Sequence, residues 1–134
     1  MDLSRKIPAI LIVEDENLVG WALGSALKKT GFDCIAVRSG EGALEVIKSV
    51  AIDLVITDLK LPQIDGFEVA AAAKARFPEI PVIMISAGEG DDLRVPIQNC
   101  NIDEFVEKPF DLNEMTGVVG TLLHRGSKSI LRNS

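Results

Sequence analysis

The chain is poor in the residues that several protein classes depend on. Its two cysteines, Cys34 and Cys100, lie far apart with no C-x-x-C pairing. They read as small buried hydrophobes rather than redox or ligand groups. A lone histidine, His124, excludes a histidine-rich metal constellation. The longest apolar runs, such as Pro81 to Ile85, fall far below the roughly 18 residues that cross a bilayer, so no membrane span is expected. The N-terminal apolar run stops early at Glu14 and Asp15, which is poor material for a secretory signal and points to a cytoplasmic setting. Basic residues are in deficit: 14 Lys and Arg against 20 Asp and Glu give a formal charge of -6. With no basic patch interleaved with aromatics, direct nucleic-acid binding has little support. Internal repeats and low-complexity blocks are also missing.

What remains is material for one soluble domain. The chain has 134 residues, enough for one well-filled core and too few for two ordinary domains. The run Ala9 to Val13 ends at Glu14, Asp15 and Glu16, and Leu18, Val19, Ala22, Leu23, Ala26 and Leu27 follow at helical spacing. Asn17 is the expected N-cap of that helix and Gly31 its stop. A strand at Cys34 to Val37 leads to a helix from Gly40 to Ser49 capped by Ser39. The run Leu54 to Thr57 lacks alternation, as a parallel strand covered on both faces should, and it ends in Asp58. Past the turn-like Leu61 to Ile64, Asp65 and Glu68 have capping-box spacing before an alanine-rich helix to about Arg76. Strand Val82 to Ile85 then delivers Ser86. A short helix over about Asp92 to Asn99 is interrupted by Gly88, Gly90 and Pro96. The last strand, Glu104 to Val106, feeds Lys108-Pro109, and Asp111 with Glu114 repeats the capping-box spacing. Five β/α units of this kind predict a doubly wound parallel sheet flanked by five helices, and convergence of the polar strand ends on one edge points to the strand order 2-1-3-4-5. Its ligands belong beyond the carboxyl ends of the strands.

The polar residues fall at those ends. Strand one ends in Glu14 and Asp15, strand three in Asp58, strand four in Ser86, and strand five near Lys108, so one sheet edge collects all five. Three crowded carboxylates repel unless a cation neutralises them, and Mg²⁺ takes a few carboxylate oxygens together with water and phosphoryl groups. These are parts for phosphoryl transfer. Asp58 serves as nucleophile, the metal and Lys108 balance charge on the phosphoryl oxygens, and the Ser86 hydroxyl donates to one of them. Taken singly, each residue has an ordinary explanation: loop acids, a turn serine, a solvated lysine. Their common placement carries the functional reading. Phe105 and Phe110 read first as packing residues.

The strings LIVEDE (11–16), DLVITDLKLPQIDGFE (53–68), PVIMISA (81–87) and FVEKPF (105–110) resemble the receiver domain of bacterial response regulators, the CheY-like superfamily. The likeness runs over about residues 7–125, leaving 126–134 as a tail or the start of a linker. It implies a flavodoxin-like fold, phosphorylation of Asp58, and Mg²⁺ held by Glu14, Asp15, Asp58 and the backbone carbonyl of Lys60. It also makes Ser86 and Phe105 the switch residues and Lys108 the lysine that precedes a cis proline, Pro109. Such a domain catalyses its own phosphorylation and dephosphorylation but acts chiefly as a signalling switch. Its implied partners are a sensor histidine kinase or histidine phosphotransfer protein, and a downstream effector or output domain, with a phosphorylation-dependent dimer as one form of output. Both a stand-alone receiver and a piece of a longer regulator or hybrid kinase fit the chain. Asn101-Ile102 departs from the family's usual Gly-Ala before the fifth strand.

Three other readings fare worse. A degenerate receiver that only docks would lack Asp58, Asp15 or Lys108, and none is missing. A phosphohydrolase of the haloacid-dehalogenase type wants a second acid two residues after the nucleophile, where Lys60 stands. A flavin phosphate would meet Glu14-Asp15-Glu16 after strand one rather than a Ser/Thr/Gly-rich cradle.

Overall fold

The computed structural model describes residues 7–87 and 102–133. In chain order the elements are β1 (Ala9–Val13), α1 (Asn17–Lys29), β2 (Asp33–Val37), α2 (Gly40–Ser49) and β3 (Leu54–Asp58). After them come α3 (Gly66–Arg76), β4 (Val82–Ser86), β5 (Glu104–Glu107) and α4 (Leu112–Asn133). The expected helix at 92–99 lies outside the described residues. The five strands form one sheet in the order β2-β1-β3-β4-β5, and every neighbouring pair is parallel.

The apolar strands are continuous because both sheet faces are covered. Side chains alternate between the faces: Leu11, Val13, Val55, Val82 and Met84 pack with Ala43 and Ile47 of α2 and Val69, Ala70 and Ala73 of α3. Ile10, Ile12, Leu54, Ile56, Ile83 and Ile85 pack on the other face with Leu23 and Leu27 of α1 and Met115, Val119 and Leu122 of α4. Each fully buried large aliphatic side chain contributes about 1.5–3 kcal/mol relative to exposure, so the two half-cores fix the strand register. β1 sits between β2 and β3, which leave it in opposite directions. That reversal is the switch point, and the loop after β1 opens there.

Local signals set the helix ends. Ser39 Oγ accepts from the Gly42 N–H at 3.0 Å, and Asp65 with Glu68 closes a full capping box at α3. Asp111 Oδ1 accepts from the N–H groups of Asn113 and Glu114 at 2.7 and 3.1 Å. Gly31, with φ of 102°, takes the left-handed position just past α1. The N-cap of α1 is Glu16 rather than Asn17, and its side chain makes no cap hydrogen bond. The carboxylate is engaged instead with Lys108. At the other end of the chain the backbone stays helical through Asn133, so the segment read as a tail begins as an extension of α4.

Candidate functional site

The carboxyl ends of β1 and β3 are adjacent, since Val13 pairs with Thr57. Glu14 and Asp58 therefore leave neighbouring strands together, and one oxygen each of Glu14, Asp15 and Asp58 lies within 4.8 Å of the others. Glu14 and Asp58 are buried while Asp15 is exposed at the mouth. From the side of β5, Lys108 Nζ reaches Asp58 Oδ1 at 3.3 Å, Glu14 Oε1 at 3.1 Å and Glu16 Oε1 at 2.6 Å. Its backbone is held by the Lys108 N–H donating to the Ser86 carbonyl at 2.8 Å, and the Lys108-Pro109 peptide is cis.

Ser86 closes β4 at the same edge and is buried. Phe105 lies in β5 opposite Met84, half-buried against the face covered by α2 and α3. Asp15, Asp58, Lys60, Ile85, Ala87 and Lys108 line a small pocket of about 90 Å³. Gly66, the first residue of α3, packs against the Asp58-Leu59 backbone. A Cβ there would collide with the Asp58 carbonyl and come within 2.7 Å of Met84 Sδ. The absence of a side chain lets α3 start directly beneath the Asp58-Leu59 turn, where the Gly66 N–H donates to the Leu59 carbonyl at 2.9 Å.

The electrostatics are those of a carboxylate cluster with too little positive charge. Burial, then the hydrogen bond and charge of Glu14, push the Asp58 carboxyl up from 3.8 to about 8, with Lys108 opposing. Burial works against the Lys108 ammonium, but hydrogen bonds to Glu16 and Glu14 and the charges of Asp58 and Glu14 outweigh it and hold its pKa above the ordinary lysine value. Lys108 directs its hydrogen bond at Glu14 Oε2 at 3.3 Å. Glu14 Oε1, although 3.1 Å from the ammonium, receives no well-aligned donor and remains a buried oxygen without a hydrogen bond. An orphaned carboxylate oxygen beside two further acids is a donor set that fits a hard divalent cation. The acidic triad is thus positioned to coordinate a metal such as Mg²⁺.

The sequence-predicted residues Glu14, Asp15, Asp58, Lys60, Ser86 and Lys108 all sit at this edge, and Phe105 sits one strand away from the pocket. Glu16, which the sequence reading left as loop, belongs to the same charge network. The signal for it was faint: a third acid in Glu14-Asp15-Glu16, which local sequence cannot connect to a lysine 92 residues away. Cys34 is half-buried, its thiol raised by burial and pointed at the Gly24 carbonyl, as a packing residue should be. Cys100 lies outside the described residues. Among the described residues no helix is long and apolar enough to cross a membrane.

Comparison with known proteins agrees with the site. The sequence model of the response regulator receiver domain matches residues 10–119. The transcriptional regulatory protein QseB of Haemophilus influenzae is 33% identical over 116 residues, covering 87% of this chain and 52% of QseB. The autoinducer 1 sensor kinase/phosphatase LuxN of Vibrio harveyi is 28% identical over 129 residues, covering 96% of this chain and 15% of LuxN. The chain thus spans about half or less of these relatives' lengths. Among solved structures, a response regulator receiver protein from Sinorhizobium medicae superimposes with a TM-score of 0.80 at 33% identity, over 89% of this chain and 96% of that one. The fold, the carboxylate cluster at its switch point and the match across most of the chain lead to one assignment: the chain belongs to the response regulator receiver domain family, the phosphoacceptor switches of two-component signalling.

Proposed function

We propose that Asp58 is the phosphoacceptor, that Glu14, Asp15, Asp58 and the Lys60 carbonyl hold Mg²⁺, and that Lys108 and Ser86 bind the phosphoryl oxygens. The observation that carries this reading is the meeting of three carboxylates within 4.8 Å beside an ammonium 3.3 Å from Asp58. Bound there, Mg²⁺ would neutralise charge on the carboxylates and the phosphoryl group, favouring the ionised Asp58 that attack requires. An Asp58 carboxylate oxygen attacks phosphorus; the phosphorus–nitrogen bond of a phosphohistidine donor, or the phosphorus–oxygen bond of a small acyl phosphate, breaks, and the electron pair leaves with the donor. Lys108 compensates the charge on the transferring oxygens and Ser86 donates a hydrogen bond to one of them. The product is an acyl phosphate, which water cleaves to return the carboxylate.

The donor in this reading is a sensor histidine kinase or a histidine phosphotransfer protein. Similarity to part of a sensor kinase/phosphatase and to part of a transcriptional regulatory protein supports a role beside such partners. The output follows from Ser86 turning toward the phosphoryl group and Phe105 moving into the space this leaves, which alters the face around β5 and α4. An effector, an output domain or a second copy of the chain would read that face. Incubation with a small acyl phosphate, with and without Mg²⁺, tests the chemistry by intact-protein mass. The parent should gain one phosphoryl group only with Mg²⁺, and the Asp58→Asn protein none. An equal adduct on the variant would refute the assignment, and no adduct on the parent with several donors would favour a docking module.

A further inference from the structure

Lys108 is shared among three carboxylates, and its shortest contact is with a residue outside the reaction pocket. Nζ stands 2.6 Å from Glu16 Oε1, against 3.1 Å for Glu14 and 3.3 Å for Asp58. Lys108 lines the 90 Å³ pocket with Asp58 and also an apolar groove with Leu18 and Leu112; Glu16 lines only the groove. The glutamate is fixed in place by its backbone. Its N–H donates to Glu14 Oε2 at 3.0 Å and its carbonyl accepts from the Gly20 N–H at 3.0 Å as α1 begins. The side chain thus meets the ammonium in the groove, while Asp58 meets it in the pocket.

We propose that Glu16 is a positioning residue that competes with the phosphoryl oxygens for Lys108. It parks the ammonium at the rim and sets how much of its charge reaches Asp58. The inference rests on Asp58 being the phosphoacceptor and deepens that reading by adding a regulator of its lysine. The competition is adjustable because the Glu16 side chain is 60% exposed, whereas that of Glu14 is 1% exposed. Water screens the outer pair and leaves the inner one strong. Loss of Glu16 leaves Lys108 held by Glu14 and Asp58, so the lysine stays at the site and turns fully toward it.

The test uses the whole chain with Mg²⁺ and beryllofluoride, a phosphoryl mimic, titrated by NMR against the parent, Glu16→Gln and Glu16→Asp. Gln keeps the shape without the charge, and Asp keeps the charge but is one methylene short of the contact. Both variants should bind the mimic about two- to fivefold more tightly, the scale of releasing one exposed ion pair, and the Lys108 Nζ resonance should shift in both. In the parent, saturation with the mimic should move the Glu16 carboxyl carbon resonance as its ammonium is drawn away, a readout that needs no variant. Equal or weaker binding by the variants, or a Glu16 carboxyl signal that stays still on saturation, would overturn the positioning role. A parent that binds no mimic at all would overturn the phosphoacceptor reading, and this proposal with it.

Discussion

Asp58→Asn should stabilise the metal-free protein, and the gain should grow with pH. Asp58 is buried beside Glu14, and its carboxyl is raised from 3.8 to about 8. A carboxyl raised on folding binds more protons in the native than in the unfolded state between those two values. Stability is therefore fully present below pH 4, falls as pH rises from about 4 to about 8, and then levels off. A rise of about 4 pH units at about 1.4 kcal/mol each sets a ceiling near 6 kcal/mol. Water entry and side-chain rotation relax part of that cost, so we expect about 2–4 kcal/mol at pH 8. Asparagine has no such ionisation. Urea melts in EDTA at pH 5, 6, 7 and 8, followed by circular dichroism, measure the effect; Trp21 is 71% exposed and so a poor fluorescence reporter. The variant should match the parent within about 1 kcal/mol at pH 5, since most of the linkage arises above that, and exceed it at pH 8. Parent stability that is flat from pH 5 to 8, or a variant weaker than the parent at pH 8, would refute the reasoning.

Mg²⁺ should move the backbone NMR signals of residues 14–16 and 58–60, and Asp15→Asn should weaken this binding about tenfold or more, as loss of a ligand does; unchanged affinity would remove Asp15 from the metal site. Gly66→Ala should cost about 1–3 kcal/mol by forcing α3 away from the Asp58 carbonyl, measured by urea melts, and should also slow phosphorylation. Ser86→Ala should leave phosphorylation measurable while the amide shifts around Phe105 and β5 diminish; full propagation of those shifts would show that Ser86 is not the link.

The sheet was legible because its strands are continuous apolar runs that stop abruptly at polar residues. Val13 to Glu14 and Thr57 to Asp58 mark both where a strand ends and where chemistry begins. Caps of the standard kind, Ser39 and the Asp65/Glu68 box, were equally readable. The α1 cap was placed one residue late, since glutamate is a poor capping type and Glu16 serves there by backbone position alone. Its ion pair joins residues 92 apart and follows only from the way the segments after β1 and β5 converge on one edge of the sheet. Gly66 was hidden for a similar reason: its lack of a side chain matters because α3 starts against Asp58 and Met84.

The central claim is that this sheet edge makes a reactive carboxylate of Asp58 in particular. Phosphorylation by a small acyl phosphate in Mg²⁺, followed by borohydride reduction and peptide mass spectrometry, locates the acyl phosphate directly. The account predicts a single reduced residue at position 58; reduction at Asp15, Glu14 or any other acid, with position 58 intact, would contradict it.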